Sequence, residues 1–246
     1  MTARVLPRAP HLDRRAVADE IMDTEPLPPR VVDRTLAFLE LTNRWFGGTG
    51  IVLRALQRWS AAWPADGRIR VLDVGTGAAD IPRAILAWAH SLGLDLEVTG
   101  IDSAPDVAAA ARERARGVPG LAIERASLAE VAASGRRFDY VTASLFLHHV
   151  PPDGVPGALA SLDRLATRGV VVSDLRRSWL ALAGVSLLAY VAGNRVVRHD
   201  GPLSVRRAFT VRELREAAAG LGLRYLEARA EGPFRVSLCG EKHGRH

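Results

Sequence analysis

Two carboxylate side chains flank two glycines in one short stretch of the sequence, and a third carboxylate follows at the next apolar run. Asp73 precedes Gly75 and Gly77, Asp80 follows them, and Asp102 ends the next apolar run. The glycines let a ligand approach the backbone, because they carry no Cβ atom. Carboxylates accept hydrogen bonds and attract positive charge. The stretch therefore predicts a binding site for a cationic small molecule that also carries hydroxyl groups.

The spacing is close to that of a dinucleotide site but differs at one position. In the G-x-G-x-x-G pattern, helix-terminal amides face a pyrophosphate, and Asp80 stands here in place of the third glycine. A carboxylate repels a pyrophosphate, whereas S-adenosylmethionine (SAM) has a sulfonium and an ammonium group and no phosphate. Asp102 suits the ribose hydroxyls of either cofactor. Asp73 and Asp80 thus favour SAM over NAD.

Alternating strands and helices must position these residues. From residue 69 onward, short apolar runs separated by helical patterns predict a doubly wound α/β sheet that is mostly parallel. The predicted strands are 70–74, 96–101, 121–124, 140–143 and 169–173, with 223–228 and 234–239 as a closing pair. Thr210 and Glu213 match a capping box at a helix start. Ligands bind at the carboxyl ends of such strands, where the glycines lie.

The segments Asp73-Val74-Gly75-Thr76-Gly77 and Gly100-Ile101-Asp102 resemble the class I SAM-dependent methyltransferases. Residues 144–150 are similar to the motif after the fourth strand in small-molecule enzymes of ubiquinone and menaquinone biosynthesis. The resemblance implies a Rossmann-like sheet of seven strands with the last strand antiparallel. Ser127 stands where many members have an acid that contacts adenine. The predicted cofactor-binding residues are Asp73, Gly75, Thr76, Gly77, Asp80, Asp102, Ser103, Ser127 and Ser144.

Histidines supply the candidate catalytic groups. His148 and His149 follow the fourth predicted strand, and only one of two adjacent side chains points inward easily. On the family pattern we favour His149 as general base or as hydrogen-bond partner of the methyl acceptor, with a polar helix start as the alternative. His199, next to Asp200, is a second candidate base with an orienting acid, and an exposed loop is its alternative. No metal site is predicted.

Helical patterns outside the alternating region predict a cover for the site. Residues 1–66 are predicted to form an N-terminal helical lid, and 67–246 a SAM-binding domain with a helical insertion at about 176–208. Within the insertion, 179–192 is apolar nearly all round, which is typical of a helix that is buried or lies against a partner or lipid. It is shorter than the roughly 20 residues that span a bilayer.

The resemblance also bears on the acceptor, since insertions after the fifth strand cover the substrate pocket in many of these enzymes. We therefore expect a hydrophobic small molecule, such as an aromatic, polyketide or prenylated compound. Plain core packing of the insertion is the alternative, as is peripheral contact with a membrane, because Arg176, Arg177, Arg195 and Arg198 flank the apolar segment.

Composition limits the partners further. The 246 residues carry a formal net charge of +6, and all basic residues except Lys242 are scattered arginines. Proteins that bind nucleic acid usually gather such residues on one element, so no nucleic-acid partner is expected. Cys239 is the single cysteine and excludes an intramolecular disulfide, which fits a cytoplasmic protein. A monomer or a homodimer is expected.

These observations lead to one main hypothesis, a SAM-dependent methyltransferase of secondary metabolism that methylates an oxygen of a hydrophobic small molecule. Carbon methylation of the quinone type is the close alternative, because the same motif after the fourth strand occurs in those enzymes. A NAD-dependent oxidoreductase is disfavoured by Asp80. A non-catalytic SAM-binding regulatory protein is an alternative that the sequence leaves open.

Overall fold

A sheet lies at the centre of the structure, a computed structural model that describes residues 12–64, 67–192 and 194–242. Within these residues the sheet has seven strands in the order β3-β2-β1-β4-β5-β7-β6. Only β7 runs antiparallel to its neighbours, β5 and β6. The predicted topology is therefore confirmed. The strands are β1 Ile69–Val74, β2 Leu96–Asp102, β3 Leu121–Arg125, β4 Phe138–Ser144, β5 Ala166–Leu175, β6 Glu227–Glu231 and β7 Arg235–Glu241.

Helices cover both faces of the sheet and its carboxyl edge. Pro29 begins the longest of them, where the fixed φ of proline suits the first helical turn. Thr210 and Glu213 form the predicted capping box. The helices are α1 Ile21–Thr24, α2 Pro29–Trp45, α3 Gly48–Ser60, α4 Asp80–Ser91, α5 Pro105–Ala115, α6 Leu128–Ala133, α7 Val155–Leu165, α8 Trp179–Ala192, α9 Arg195–Arg207 and α10 Val211–Gly220.

Two hydrophobic clusters hold the sheet between these helices. Successive strand residues point to opposite faces of a sheet. Leu72 of β1 accordingly packs in the cluster that contains Leu162 of α7 and Leu214 of α10. Its neighbour Val71 belongs to the cluster on the other face, with Leu56 of α3. A strand that is buried on both faces is mostly apolar, and four of the six residues of β1 are apolar.

The predicted sixth strand began too early. Residues 223–226 form a turn, and β6 starts only at Glu227. The Leu223 amide donates to the carbonyl of Ala218 and closes the end of α10, while Leu226 is buried in the core. Their apolar character thus reflects packing at a helix end.

The N-terminal region is helical only in part. The predicted lid includes residues 1–11 and 65–66, which lie outside the described residues. Residues 12–20 have no helix; instead they cross the carboxyl edge of the sheet as an extended strap. Arg15 donates to the carbonyl oxygens of Arg207 (2.6 Å) and Val150 (2.9 Å). These hydrogen bonds join the strap to segments that are distant in sequence, and sequence periodicity does not register such bonds.

The strap is anchored by one carboxylate of the insertion. Asp200 of α9 accepts hydrogen bonds from the amides of Ile21 (2.9 Å) and Met22 (3.1 Å), at the start of α1. The first amides of a helix have no partner within the helix, so this buried side chain satisfies them. Asp200 therefore fixes where the strap turns into α1.

The insertion after β5 consists of α8 and α9, which pack on each other. Ala181, Leu182 and Val185 of α8 are buried. Its opposite face is exposed and also apolar, with Leu187 67% and Tyr190 73% accessible. Peripheral membrane contact thus stays a prediction. None of the helices in the described residues is long and apolar enough to cross a membrane.

Replacement of Asp200 by Ala is expected to release the strap, because two helix-terminal amides lose their acceptor. We expect faster amide hydrogen exchange in residues 12–25 and a loss of about 1–3 kcal/mol in the free energy of unfolding. Asp153→Ala, at an exposed position, serves as the control. Unchanged exchange in the strap of the Asp200 variant would show that α1 is held by other contacts.

Candidate cofactor and acceptor site

A cleft of about 1190 Å³ lies over the carboxyl ends of the central strands. The structure brings every predicted cofactor-binding residue to its lining, although these residues span 72 positions of the chain. His149 lines the cleft as well. The predicted residues found there are Asp73, Gly75, Thr76, Gly77, Asp80, Asp102, Ser103, Ser127 and Ser144.

The turn between β1 and α4 depends on its glycines. Gly75 has φ +67° and Gly77 has φ +51°, which is left-handed backbone that glycine adopts without strain. A Cβ atom on Gly75 would also lie 2.8 Å from the ring of Phe146. Asp102 accepts from the amides of Gly77 (3.2 Å) and Ala104 (3.1 Å). The acid at the end of β2 therefore shapes the glycine turn in addition to facing the cleft.

Asp73 is the most enclosed acid of the cleft, with 2% of its surface exposed. Burial raises the pKa of its carboxyl to about 7, against the opposing effect of the hydrogen bond from Thr142. The Thr142 hydroxyl donates to Oδ1 over 2.7 Å. A cationic ligand nearby would favour the ionised carboxylate, so the charge of this site responds to what binds in it.

Asp80, the first residue of α4, is held by the N-terminal helices. Nδ2 of Asn43 in α2 donates to its Oδ2 over 3.0 Å. Burial raises the pKa of the Asp80 carboxyl, and the Asn43 hydrogen bond opposes this. The carboxylate lies at a helix N-terminus, the position that a pyrophosphate takes in dinucleotide sites. The arrangement agrees with a cofactor that has no phosphate.

The three serines of the predicted cofactor set differ in what their hydroxyls contact. Ser127 caps α6, and its hydroxyl donates to Glu130 over 2.7 Å. Ser144 is buried, with its hydroxyl 3.5 Å from Oδ1 of Asn43. Ser103 is exposed at the rim. A role for Ser127 in place of the family's adenine-binding acid thus competes with its capping role.

Both histidines after β4 point inward, contrary to the expectation that only one would. They lie on a 3-10 turn, Leu147–His149, with ring centroids 4.2 Å apart. His148 is buried, and its Nδ1 lies 2.6 Å from Oδ1 of Asp174 at the end of β5. Nδ1 of His149 lies 2.9 Å from Oδ2 of Asp23. Each imidazole thus has its own carboxylate.

The carboxylates around His149 decide its charge. Burial lowers its pKa, but the hydrogen bond to Asp23 and the charges of Glu20 and Asp23 outweigh burial and raise it to about 9. His149 is therefore protonated at neutral pH. A protonated imidazole donates hydrogen bonds and cannot remove a proton, so this geometry supports the hydrogen-bonding role predicted for His149 and not the role of base.

His148 has the arrangement of a base with an orienting acid. Burial alone would raise the pKa of Asp174, but the charge and hydrogen bond of His148 and two backbone amides lower it below its ordinary value. When the imidazole of His148 is neutral and its Nδ1–H donates to Asp174, Nε2 is the acceptor, as in catalytic His–Asp pairs. Nε2 lies 4.0 Å from Glu20 Oε1.

His199 does not reach the site. Its Nδ1 lies 2.8 Å from Oδ1 of Asp200, but half of the ring is exposed and it does not line the cleft. Adjacent residues on a helix point about 100° apart, and Asp200 is the one that faces inward. The predicted catalytic role of His199 is therefore not supported by its position.

A smaller cavity of about 90 Å³, here called the inner chamber, adjoins the cleft. Met22, Leu39, Leu145 and His149 line both. Its walls are largely apolar, and its polar groups come from the strap, α2, the histidine turn, α9 and β7. The remaining residues of the inner chamber are Glu20, Thr35, Phe38, Thr42, Phe46, His148, Leu175, Val185, Val197, Asp200, Gly201, Ser204, Phe234 and Arg235.

Ligand atoms of Glu20, His148 and His149 lie within 4.8 Å of one another, as a metal site would require. Arg207 opposes that use, because its Nη1 lies 3.8 Å from Oε1 of Glu20. Its positive charge would repel a cation. The prediction that no metal is bound stays a prediction.

Several residues of the site escaped the sequence analysis. Glu20, Asp23 and Arg235 are far in sequence from the motifs and have no pattern of their own. Asp174 did have a signal, since an acid at the carboxyl end of a predicted parallel strand belongs at the ligand-binding edge. His148 was weighed, but only as the neighbour of His149.

Comparisons with known proteins agree with this geometry. Residues 71–169 match the family described as methyltransferase domain. No curated protein matches the sequence. The chain is similar to the plantazolicin methyltransferase BpumL in complex with SAH, S-adenosylhomocysteine. The TM-score is 0.65 at 12% identity, over 91% of this chain and 93% of that one.

Two further structures have the same fold. Magnesium protoporphyrin IX methyltransferase (ChlM) from Synechocystis PCC 6803 with bound SAM has a TM-score of 0.52 at 13% identity, over 89% of this chain and 100% of that one. The CurJ carbon methyltransferase has a TM-score of 0.58 at 15% identity, over 80% and 54%. Residues 71–169 are therefore similar to a methyltransferase domain, and the chain has the class I fold of the SAM-dependent methyltransferases.

Proposed function

We propose that this protein transfers the methyl group of SAM to an oxygen atom of a hydrophobic small molecule. The observation that carries the proposal is the inner chamber, an apolar cavity with a His–Asp pair in its wall, next to the cleft of the cofactor. Apolar pockets with a few convergent polar groups are typical of small-molecule sites.

The acids of the cleft fit SAM chemically. Asp102 can accept from ribose hydroxyls, while Asp73 and Asp80 offer negative charge to a sulfonium and an ammonium group. SAM supplies a methyl group that the positive sulfur already activates for displacement. The protein's own contribution is to align the acceptor and to exclude water.

His148 is the residue that we propose as general base. Its Nε2 is free to accept the proton of an acceptor hydroxyl, and Asp174 then stabilises the imidazolium through Nδ1. This changes the assignment favoured from sequence, in which His149 was the preferred base. His149, charged at neutral pH, instead supplies a hydrogen-bond donor at the border between cleft and chamber.

Carbon methylation is the second candidate, because proteins of similar fold include the CurJ and DszA carbon methyltransferases. A base would also remove a proton from an acidic carbon, so His148 does not separate the two reactions. The buried His–Asp pair does favour either reaction over non-catalytic SAM binding, which needs no base.

The charge of Asp73 makes a testable prediction about the cofactor. Burial raises the pKa of the Asp73 carboxyl to about 7, so in the free protein this group is protonated below that pH. A cationic ligand pairs with the ionised form, so its binding below pH 7 requires release of the proton. SAM affinity should therefore rise about tenfold between pH 5.5 and pH 7 and level off above. Calorimetry across this range measures it.

Asp73→Asn should remove this dependence on pH and weaken SAM binding at pH 8 by about 1–3 kcal/mol. Asp153→Asn, at an exposed position outside the cleft lining, should behave like the native protein. If Asp73→Asn keeps the native pH dependence, the titrating group lies elsewhere.

Turnover tests the function and the base together. Purified protein with ¹³C-methyl SAM and a library of phenolic and lipidic alcohols should form SAH and a product whose new methyl resonance is that of an O-methyl group. His148→Gln should lower kcat by about 10²–10⁴-fold, and SAH affinity should stay within about twofold, because His148 lies outside the cleft lining.

His149→Gln is the matched comparison, and we expect it to keep most of the turnover. If His149→Gln loses turnover and His148→Gln keeps it, His149 is the base. A C-methyl resonance would favour the second candidate function, and SAM binding without transfer to any acceptor would contradict the proposal.

A further inference from the structure

A buried arginine lines the inner chamber, and no described residue forms a salt bridge with it. Arg235 begins β7 and is 0% exposed. Its Nη2 donates to Oδ1 of Asn43 over 2.8 Å. Its Nε and Nη1 have no hydrogen-bond partner among the residues that the structure describes. Buried donors left in this way are costly, and the cost is larger for a charged group.

The carboxylates nearest to Arg235 are already engaged. Asp174 and Asp80 are the acids whose charges act on it, but Asp174 accepts from His148, and Asp80 accepts from Asn43. Burial lowers the pKa of Arg235 to about 10, so the guanidinium still carries its charge at neutral pH. The chamber thus contains a positive charge that no group in residues 12–64, 67–192 or 194–242 neutralises by direct contact.

The other buried arginines show what a structural role looks like in this chain. Arg177 donates to the carbonyls of Leu12 and Ala208 and pairs with Glu213. Arg207 likewise donates to backbone carbonyls. Each of these guanidinium groups has acceptors on several nitrogens. Among the described residues Arg235 has one neutral acceptor, which indicates that its remaining N–H groups are available to a ligand.

The surroundings of Arg235 indicate the chemical class of the ligand that the inner chamber fits. Phe38, Phe46 and Phe234 line the same chamber, and the rings of Phe46 and Phe234 are 4.8 Å apart. A water needs about 10–15 Å³ of such volume, so a cavity of about 90 Å³ has room for several waters or one small ring. The inner chamber therefore suits a ligand with a flat apolar group that ends in an anionic oxygen.

We propose that the inner chamber binds an aromatic carboxylate of the methyl acceptor, with the carboxylate on Arg235 and the ring among the phenylalanines. This inference rests on the proposed function and narrows its substrate class to hydrophobic acids. Charge-assisted hydrogen bonds to a guanidinium are stronger than neutral ones. The Arg235 carboxylate contact would orient the acceptor, and His148 in the same chamber would take the proton of its hydroxyl.

Benzoate and benzyl alcohol are suitable probes, since they have the same ring and differ in charge. Titrated into the SAH-bound protein and followed by NMR, benzoate should bind at least about tenfold more tightly than benzyl alcohol. Equal affinities in the native protein would overturn the proposal. This comparison needs no variant, so it does not depend on how a substitution folds.

Arg235→Met should abolish the preference for benzoate and leave the affinity for benzyl alcohol unchanged. Its Tm should not fall, because replacing a poorly paired buried charge by an apolar side chain is often neutral or stabilising. Arg177→Met is the matched control: it removes a well-paired buried arginine, so it should lower the Tm and keep the benzoate preference. A lower Tm with an unchanged preference in Arg235→Met would make Arg235 structural and overturn the proposal.

One alternative source of the anion is the cofactor, whose methionine part has a carboxylate. SAH has this group and 5′-methylthioadenosine lacks it. If Arg235→Met weakens SAH but not methylthioadenosine, the arginine serves the cofactor and the proposal is wrong. The proposed function fails separately: it requires turnover, whereas the anion preference is measured without it. Turnover of neutral acceptors together with equal binding of both probes would overturn only this inference.

Discussion

Parallel pairing of β1 with β2 and β4 is the constraint on which the site depends. The register sets Asp73 beside Gly100 on one side and Thr142 on the other. Thr142 can therefore donate to the Asp73 carboxylate, and Gly100 leaves space for Thr76, whose Oγ1 would lie 2.6 Å from a Cβ atom there. A slip of one residue would turn these side chains to the opposite face, and the cleft would lose its acids.

The edge formed by this register is completed by a segment from the far end of the chain. Glu20, just before α1, and Asp23, within α1, set the charge of His149. Asp200 of the insertion holds that helix in place. The protonation state of a residue on the sheet edge thus depends on two covering elements that are remote in sequence. Movement of α1 away from the edge would remove Asp23 and so lower the pKa of His149 toward its ordinary value. The position of α1 and the protonation state of His149 are therefore coupled through electrostatics.

The sequence predicted best what is local. The succession of strands and helices along the chain, the glycine turn, the acid of β2 and the capping box at Thr210 depend on neighbouring residues, because period, φ requirements and capping act over a few positions. Residues 223–226 misled the strand prediction because burial in the core and strand pairing both favour apolar side chains. The extended strap at 12–20 was wrongly included in a helical region, since its hydrogen bonds go to α9 and the histidine turn.

Non-local pairing explains the remaining differences at the site. His149 was favoured over His148 from a family pattern, but which histidine is free to accept a proton depends on Asp23 and Asp174, 126 and 26 residues away. Arg235 lies in an apolar run and gave no signal, because its charge matters only when the chamber is closed by α2 and α8. Sequence periodicity reports which face is buried and does not report which charges meet there.

Asn43 shows how the two halves of the site are kept apart. Its Nδ2 donates to Asp80 in the cleft, and its Oδ1 accepts from Arg235 in the inner chamber. One neutral side chain thus separates an acid from a buried cation that would otherwise attract each other. If Asp80 and Arg235 paired directly, the cleft would lose negative charge and the chamber would lose its cation. The amide keeps both charges available, and so the same wall can present acid to a cationic cofactor and a guanidinium to an anionic acceptor.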